Sequence, residues 1–198
     1  MEPLWPYVTP GIPDQLFEQL PGIPMSQREV RLALLSALRL GAEAVLWDIG
    51  AGTGTITVEA ALLCPHGAIV AVERDQDVAA LIKKNCQRFG VTNVDVVVGN
   101  APSCFDGLPH VPDAILIEGG RDLKPLLADA WEKLAACGRL VATASNFQSL
   151  YAISESFAEL QVRNIEVVQT GGSRLETRGS NQVLKPIVPT FILSGEKF

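Results

Sequence analysis

The sequence predicts an α/β fold: a mostly parallel sheet of seven strands with helices on both faces and an antiparallel strand at the C-terminal end. Three observations lead there. Short apolar runs alternate with segments whose apolar residues recur at helical spacing, the signature of strand–helix–strand units. The first run is followed by glycines at 50, 52 and 54, which reads as strand, tight loop, helix. Near the end the alternation stops: 165–170 and 190–195 are both strand-like with no convincing helix between them, so a hairpin-like antiparallel pair follows more naturally than another crossover.

The elements can be justified in order. Six of the thirteen prolines fall in the first 25 residues, so 1–25 is expected to be an irregular arm lying along a single domain of residues 1–198. Ser26-Gln-Arg-Glu29 reads as a capping box that opens a helix through Leu32, Leu35 and Leu38. A helix start is also rich in donors, so Ser26 is a candidate contact for the acidic end of a ligand.

Val45 to Trp47 is a buried strand, Asp48 follows, and Gly50-Ala51-Gly52-Thr53-Gly54 turns the chain into a helix from Thr55 to Leu63. Without Cβ atoms the loop can bring backbone N–H groups close to a ligand. Its third glycine is one position short of the dinucleotide spacing, and no Gly-Lys-Ser/Thr follows to make a triphosphate loop. A second strand, 68–73, ends in Glu73, about 20 residues on, where a carboxylate can accept both ribose hydroxyls. A third, 94–98, runs into Gly99-Asn100-Ala101-Pro102, which offers a side-chain amide and a backbone N–H to an adenine edge. Each feature alone has a plainer reading, a tight turn or a solvated strand end. Together, three strand ends converge on one nucleoside.

Val78, Leu81, Ile82, Cys86 and Phe89 mark the next helix, closed by Gly90. A strand over 112–117 leads into Glu118-Gly119-Gly120, a loop where backbone can approach a substrate. Leu123, Leu126, Leu127, Ala130, Trp131 and Leu134 share a helix face ending at Gly138; 139–143 is a strand, and Asn146 caps a helix carrying Leu150, Ile153, Phe157 and Leu160. The segment from Gly171 to Pro186 reads as a loop with Arg174, Arg178 and Lys185 against one acid, Glu176. It is either a solvated connection or an arginine clamp for carboxylates, folding over a ligand on glycines 171, 172 and 179.

Composition excludes several classes. With 47% hydrophobic and 19% charged residues the chain is globular, and no apolar run approaches the ~20 residues of a membrane span. The N-terminus lacks the basic end and apolar centre of a signal peptide, so a cytoplasmic location is expected. Cysteines 64, 86, 104 and 137 lie far apart and read as reduced packing residues; with two histidines, His66 and His110, no protein-built metal site is expected. The net charge of −6 argues against a nucleic-acid partner.

Asp48-x-Gly50-x-Gly52-x-Gly54 resembles the first motif of the Rossmann-like class I methyltransferases that use S-adenosylmethionine. Taken with Gly11-Ile-Pro-Asp…Phe17, Pro24-Met-Ser-Gln-Arg-Glu-Val-Arg31, Gly99-Asn-Ala-Pro102 and Ile117-Glu-Gly-Gly120, nearly the whole chain resembles one family. These are the decarboxylating (cobalt-)precorrin methyltransferases of cobalamin biosynthesis, a T-type subunit that also occurs as the C-terminal half of a fused enzyme. The resemblance implies C-methylation at corrin position fifteen with loss of CO2 from the ring C acetate. It implies S-adenosylmethionine held by Ser26, Asp48, Gly50, Ala51, Gly52, Thr53, Gly54, Glu73, Asn100 and Ala101. The tetrapyrrole would lie near Gly119 and Gly120, with Arg174 and Arg178 as its carboxylate contacts. A separate E-type methyltransferase and a homo-oligomer, as in tetrameric relatives, would complete the system. An activated methyl and a macrocycle that is its own electron sink leave alignment as the protein's main task. No catalytic base is therefore assigned, and Glu118 is a candidate for positioning only. The competing readings are a class I methyltransferase acting on tRNA or protein, and a non-catalytic nucleotide-binding partner subunit. Against the first stand the acidic charge and Glu118-Gly-Gly in place of an Asn/Asp-Pro-Pro-Tyr motif.

Overall fold

The computed structural model describes residues 3–120 and 122–198, the Arg178 side chain excepted. Five strands, β1 (Val45–Ile49), β2 (Ala68–Glu73), β3 (Val94–Val98), β4 (Ala114–Glu118) and β5 (Arg139–Ala144), run parallel, and β6 (Arg163–Arg178) and β7 (Asn181–Glu196) close the sheet antiparallel. The order is β3-β2-β1-β4-β5-β7-β6, so the connections reverse direction between β1 and β4. Ligands of such sheets bind beyond the carboxyl ends of the strands at that reversal.

Successive residues of a strand point to opposite faces, and β1 shows the consequence. Leu46 packs with Leu34 and Leu38 of α1 (Arg28–Leu38) and Ile56 of α2 (Thr55–Leu63). Its neighbour Trp47 packs on the other face with Leu127 of α4 (Leu123–Lys133) and with Ile153 and Phe157 of α5 (Phe147–Glu159). Helix α3 (Gln76–Phe89) and the arm share a third cluster around Ile12, Phe17 and Ile82. The arm is irregular apart from a single 3-10 turn, Asp14–Leu16, and lies along the body; Phe17 rests on Phe89 with ring centroids 4.8 Å apart. Among the described residues no helix is long and apolar enough to cross a membrane.

Local signals hold where contacts are local. Asn146 caps α5 through Ser149 N–H, and Gly90, at φ +70°, closes α3. Four expectations are corrected. Ser26 is not a cap: Gln27 precedes α1 without a side-chain cap bond, because Ser26 and Glu29 are drawn to partners far away in sequence. Leu32 is exposed rather than core. Cys137 is exposed at φ +60°, a turn residue rather than a packing one.

The largest correction concerns Gly171 to Pro186, which is strand and not loop. Arg174 pairs with Lys185, Leu175 with Leu184 and Glu176 with Val183, leaving Gly179 and Ser180 as the turn. Exposure of Leu175 and Leu184 explains why no inside–outside alternation was there to read. Strand β5 ends opposite Phe191, so the hairpin from 171 to 190 rises past the carboxyl ends of the parallel strands as a wall beside them.

Candidate active site

The glycine loop is wedged between strand ends. Gly50 and Ala51 donate N–H bonds to Val72 O at 3.0 and 3.2 Å, tying the loop to β2. A Cβ on Gly50 would lie 2.8 Å from Glu118 O, and one on Gly54 would lie 2.8 Å from Ile82 Cγ2 of α3. Gly50 thus lets β4 approach, and Gly54 lets α2 close on α3. Gly52 lies between them at φ +54° and donates its N–H to Glu73 Oε2 at 3.2 Å, while Asp75 N–H bonds Oε1 at 3.0 Å. The acid expected to hold a ribose is therefore braced at the mouth of the loop. Ala51 and Thr53 are buried in the loop. At the end of β3, Asn100 is exposed and Ala101 half-buried.

Two carboxyls form the floor. Asp48 is fully buried; Thr57 Oγ1 donates to its Oδ2 at 2.6 Å, and Oδ1 has no partner among the described residues. Burial, opposed by the Thr57 bond and reinforced by the charge of Glu73, pushes Asp48 up to about 6. Glu118, half-buried at the end of β4, accepts a 2.7 Å hydrogen bond from Ser26 Oγ. Burial first and the Asp48 charge second push it up to about 7, against the pull of Ser26 and Arg31. An unpartnered acid oxygen near a glycine loop, with a second carboxylate, Glu73, at the mouth of that loop, suits a ligand that carries positive charge. S-adenosylmethionine is such a molecule.

The acceptor side departs from the expected clamp. Arg174 is not a free cation: Nε and Nη2 donate to Glu29 at 2.9 and 2.5 Å, and Nη1 to Asp14 at 3.1 Å. These two acids, from the arm and the start of α1, outcompete solvent because they face the hairpin wall. The Arg174 bond holds the Glu29 carboxyl down at about 2. Lys185 faces Glu176 at 3.4 Å, and the side chain of Arg178 lies outside the described residues. Gly119 and Gly120 are exposed after β4, at φ +78° and +143°.

Sequence reasoning missed what holds this side together. Arg31, fully buried, bonds Glu59 at 2.8 Å, Asp14 at 2.7 Å, Ser26 O at 2.6 Å and Ile12 O at 2.5 Å. Gly11 N–H completes Glu59. The available signal was periodicity: 31, 34, 35 and 38 fall on one helix face, which places an arginine in the buried stripe.

A glycine loop braced by the carboxylate of Glu73, at the reversal point of this seven-stranded sheet with an antiparallel close, is the arrangement of a class I methyltransferase fold. Within that class the chain belongs to the precorrin methyltransferase family, whose profile, described as a precorrin methyltransferase domain, matches residues 17–197. A probable cobalt-precorrin-6B C(15)-methyltransferase (decarboxylating) of Pyrobaculum calidifontis is 38% identical over 96% of this chain and 97% of its own length. The cobalt-precorrin-6B C(15)-methyltransferase (decarboxylating) of Salmonella typhimurium is 34% identical over 93% of this chain and 95% of its own. Among solved structures, a precorrin-6y C5,15-methyltransferase from Geobacter metallireducens superposes with a TM-score of 0.88 at 30% identity, covering 95% of this chain and 98% of that one.

Proposed function

We propose that the protein methylates position fifteen of a (cobalt-)precorrin and removes CO2 from the ring C acetate, using S-adenosylmethionine, in cobalamin biosynthesis. The observation that carries this reading is the end-to-end match to a relative of that name at 38% identity. The cofactor, when bound, supplies an activated methyl group. Glu73 accepts the ribose hydroxyls, Asn100 and Ala101 meet the adenine, and the loop from Gly50 to Gly54 lies along the nucleoside, with Asp48 and Ser26 toward its amino-acid end. The tetrapyrrole enters over Gly119 and Gly120, with Arg178 on the hairpin as its carboxylate contact and Arg174 setting the position of the wall. Methylation at the other position named for the Geobacter relative falls to a separate E-type subunit. The exposed Val167, Val168, Leu184 and Val188 of the hairpin suit a homo-oligomer, which light scattering would measure.

The test of the reaction is incubation with the reduced, ring-contracted precorrin and labelled S-adenosylmethionine, followed by absorbance and mass. The product gains the label and loses CO2. An unchanged tetrapyrrole overturns the proposal.

A further inference from the structure

We propose that Glu118 is the general acid of the decarboxylation, delivering its proton to the side-chain carbon that CO2 leaves behind. The step rests on the substrate reading above.

Position comes first. Glu118 ends β4 beside the reversal point of the sheet, and two exposed glycines follow it, so its carboxyl stands at the carboxyl ends of the strands where ligands of such sheets bind. Ser26 Oγ fixes Oε2 at 2.7 Å and Glu118 makes no further side-chain hydrogen bond among the described residues, which leaves Oε1 for the ligand. Both histidines lie at the amino ends of the parallel strands, opposite the end that carries Glu118: His66 just before β2, and His110 before β4 and 3.8 Å from Asp95 at the start of β3. They cannot serve this cleft.

Charge comes second. The groups that act on Glu118 are Asp48 from β1, Arg31 from α1 and Ser26 before it; Thr57 of α2 and Glu73 of β2 act in turn on Asp48. Two carboxyls held out of water in one place do not ionise together cheaply. The carboxyl of Glu118, up at about 7, is therefore partly protonated at neutral pH, the condition an acid catalyst needs. Arg31 relieves the pair from the Glu118 side and Thr57 bonds Oδ2 of Asp48, while Oδ1 of Asp48 has no hydrogen-bond partner among the described residues.

The chemistry balances. The bond between the acetate methylene and its carboxylate breaks, CO2 leaves, and the electron pair enters the conjugated ring. That pair returns to form a C–H bond with the Glu118 proton, turning R–CH2–CO2− and one H+ into R–CH3 and CO2. Glu118 is reprotonated from water that re-enters the cleft once CO2 and the product have left.

Wild type, Glu118→Gln and Glu118→Asp are compared in single turnovers with carboxyl-labelled precorrin, reading CO2 release from about pH 6 to about pH 9, where an acid of this kind titrates. Stabilisation of each variant by S-adenosylhomocysteine confirms that the fold and the cradle survive. Wild-type release is expected to fall as pH rises through about 7. Glu118→Gln is expected to slow release at least about 100-fold and to lose that limb, and Glu118→Asp to restore part of the rate. Wild type run in heavy water should place deuterium in the new methyl group. Release from Glu118→Gln within a few-fold of wild type, or from Glu118→Asp no faster than from Glu118→Gln, overturns the assignment. A wild type that releases no CO2 from the precorrin overturns the substrate reading and this step with it.

Discussion

On the side of the cleft proposed for the nucleoside, Gly52 and Glu73 meet across 21 residues of chain, within a single strand–helix–strand unit. Where that side meets the one proposed for the acceptor, Ser26 bonds Glu118 across 92 residues, and farther out Arg174 meets Glu29 across 145. The first side is set by the local grammar of a βαβ unit, in which glycines, an acid and strand ends fall at fixed spacings. The second is set by charges from the arm, α1, α2 and the terminal hairpin that come together once the sheet is complete. A cofactor site shared across a class of folds can be encoded locally, whereas the part that meets an acceptor draws on whatever lies beside it.

Removing Arg31 should break the acceptor side most severely. Arg31→Met leaves Glu59 buried with Gly11 N–H in place of a guanidinium, at a cost of about 3–5 kcal/mol in denaturant unfolding, with the arm released to limited proteolysis. A loss under about 1 kcal/mol would show that the arm is held by Ile12 and Phe17 packing alone. Arg174→Ala should cost less, about 1–2 kcal/mol, since its pairs with Glu29 and Asp14 are only partly buried. Because the Glu29 carboxyl is held at about 2, below its ordinary 4.5, this stabilisation is complete above about 4.5 and lost as pH falls toward 2. Arg174→Ala should flatten the fall of stability over that window in acid titrations followed by circular dichroism. An unchanged slope there would mean the pair contributes nothing. The smallest effect belongs to a local device: Asn146→Ala should cost about 1 kcal/mol through the lost cap on α5 and leave the pH profile untouched.

The same division explains what could be read before the structure. Helix α2 begins and ends where periodicity placed it, and β2 and β3 have the expected bounds, because each is defined by its own residues. Ser26 was misread as a cap because Ser-x-x-Glu fits a capping box as well as it fits a serine drawn to Glu118 and a glutamate drawn to Arg174. Gly171 to Pro186 was misread as a loop because a hairpin standing above the sheet buries little on either face, so its strand pairing leaves no trace in the pattern. Glu118 was visible as a carboxyl before two glycines, but its approach to Asp48 depends on β1 and β4 lying side by side, and that adjacency is not written in either strand.

The cofactor side is tested most directly by calorimetric titration of S-adenosylhomocysteine into wild type and Glu73→Ala, with NAD as the control ligand. Wild type should bind S-adenosylhomocysteine and not NAD, and Glu73→Ala should bind more weakly by about 1.5–3 kcal/mol as charge-assisted bonds to the ribose are lost. NAD binding as tightly as S-adenosylhomocysteine, or an undiminished affinity in Glu73→Ala, would contradict the assignment of the cradle.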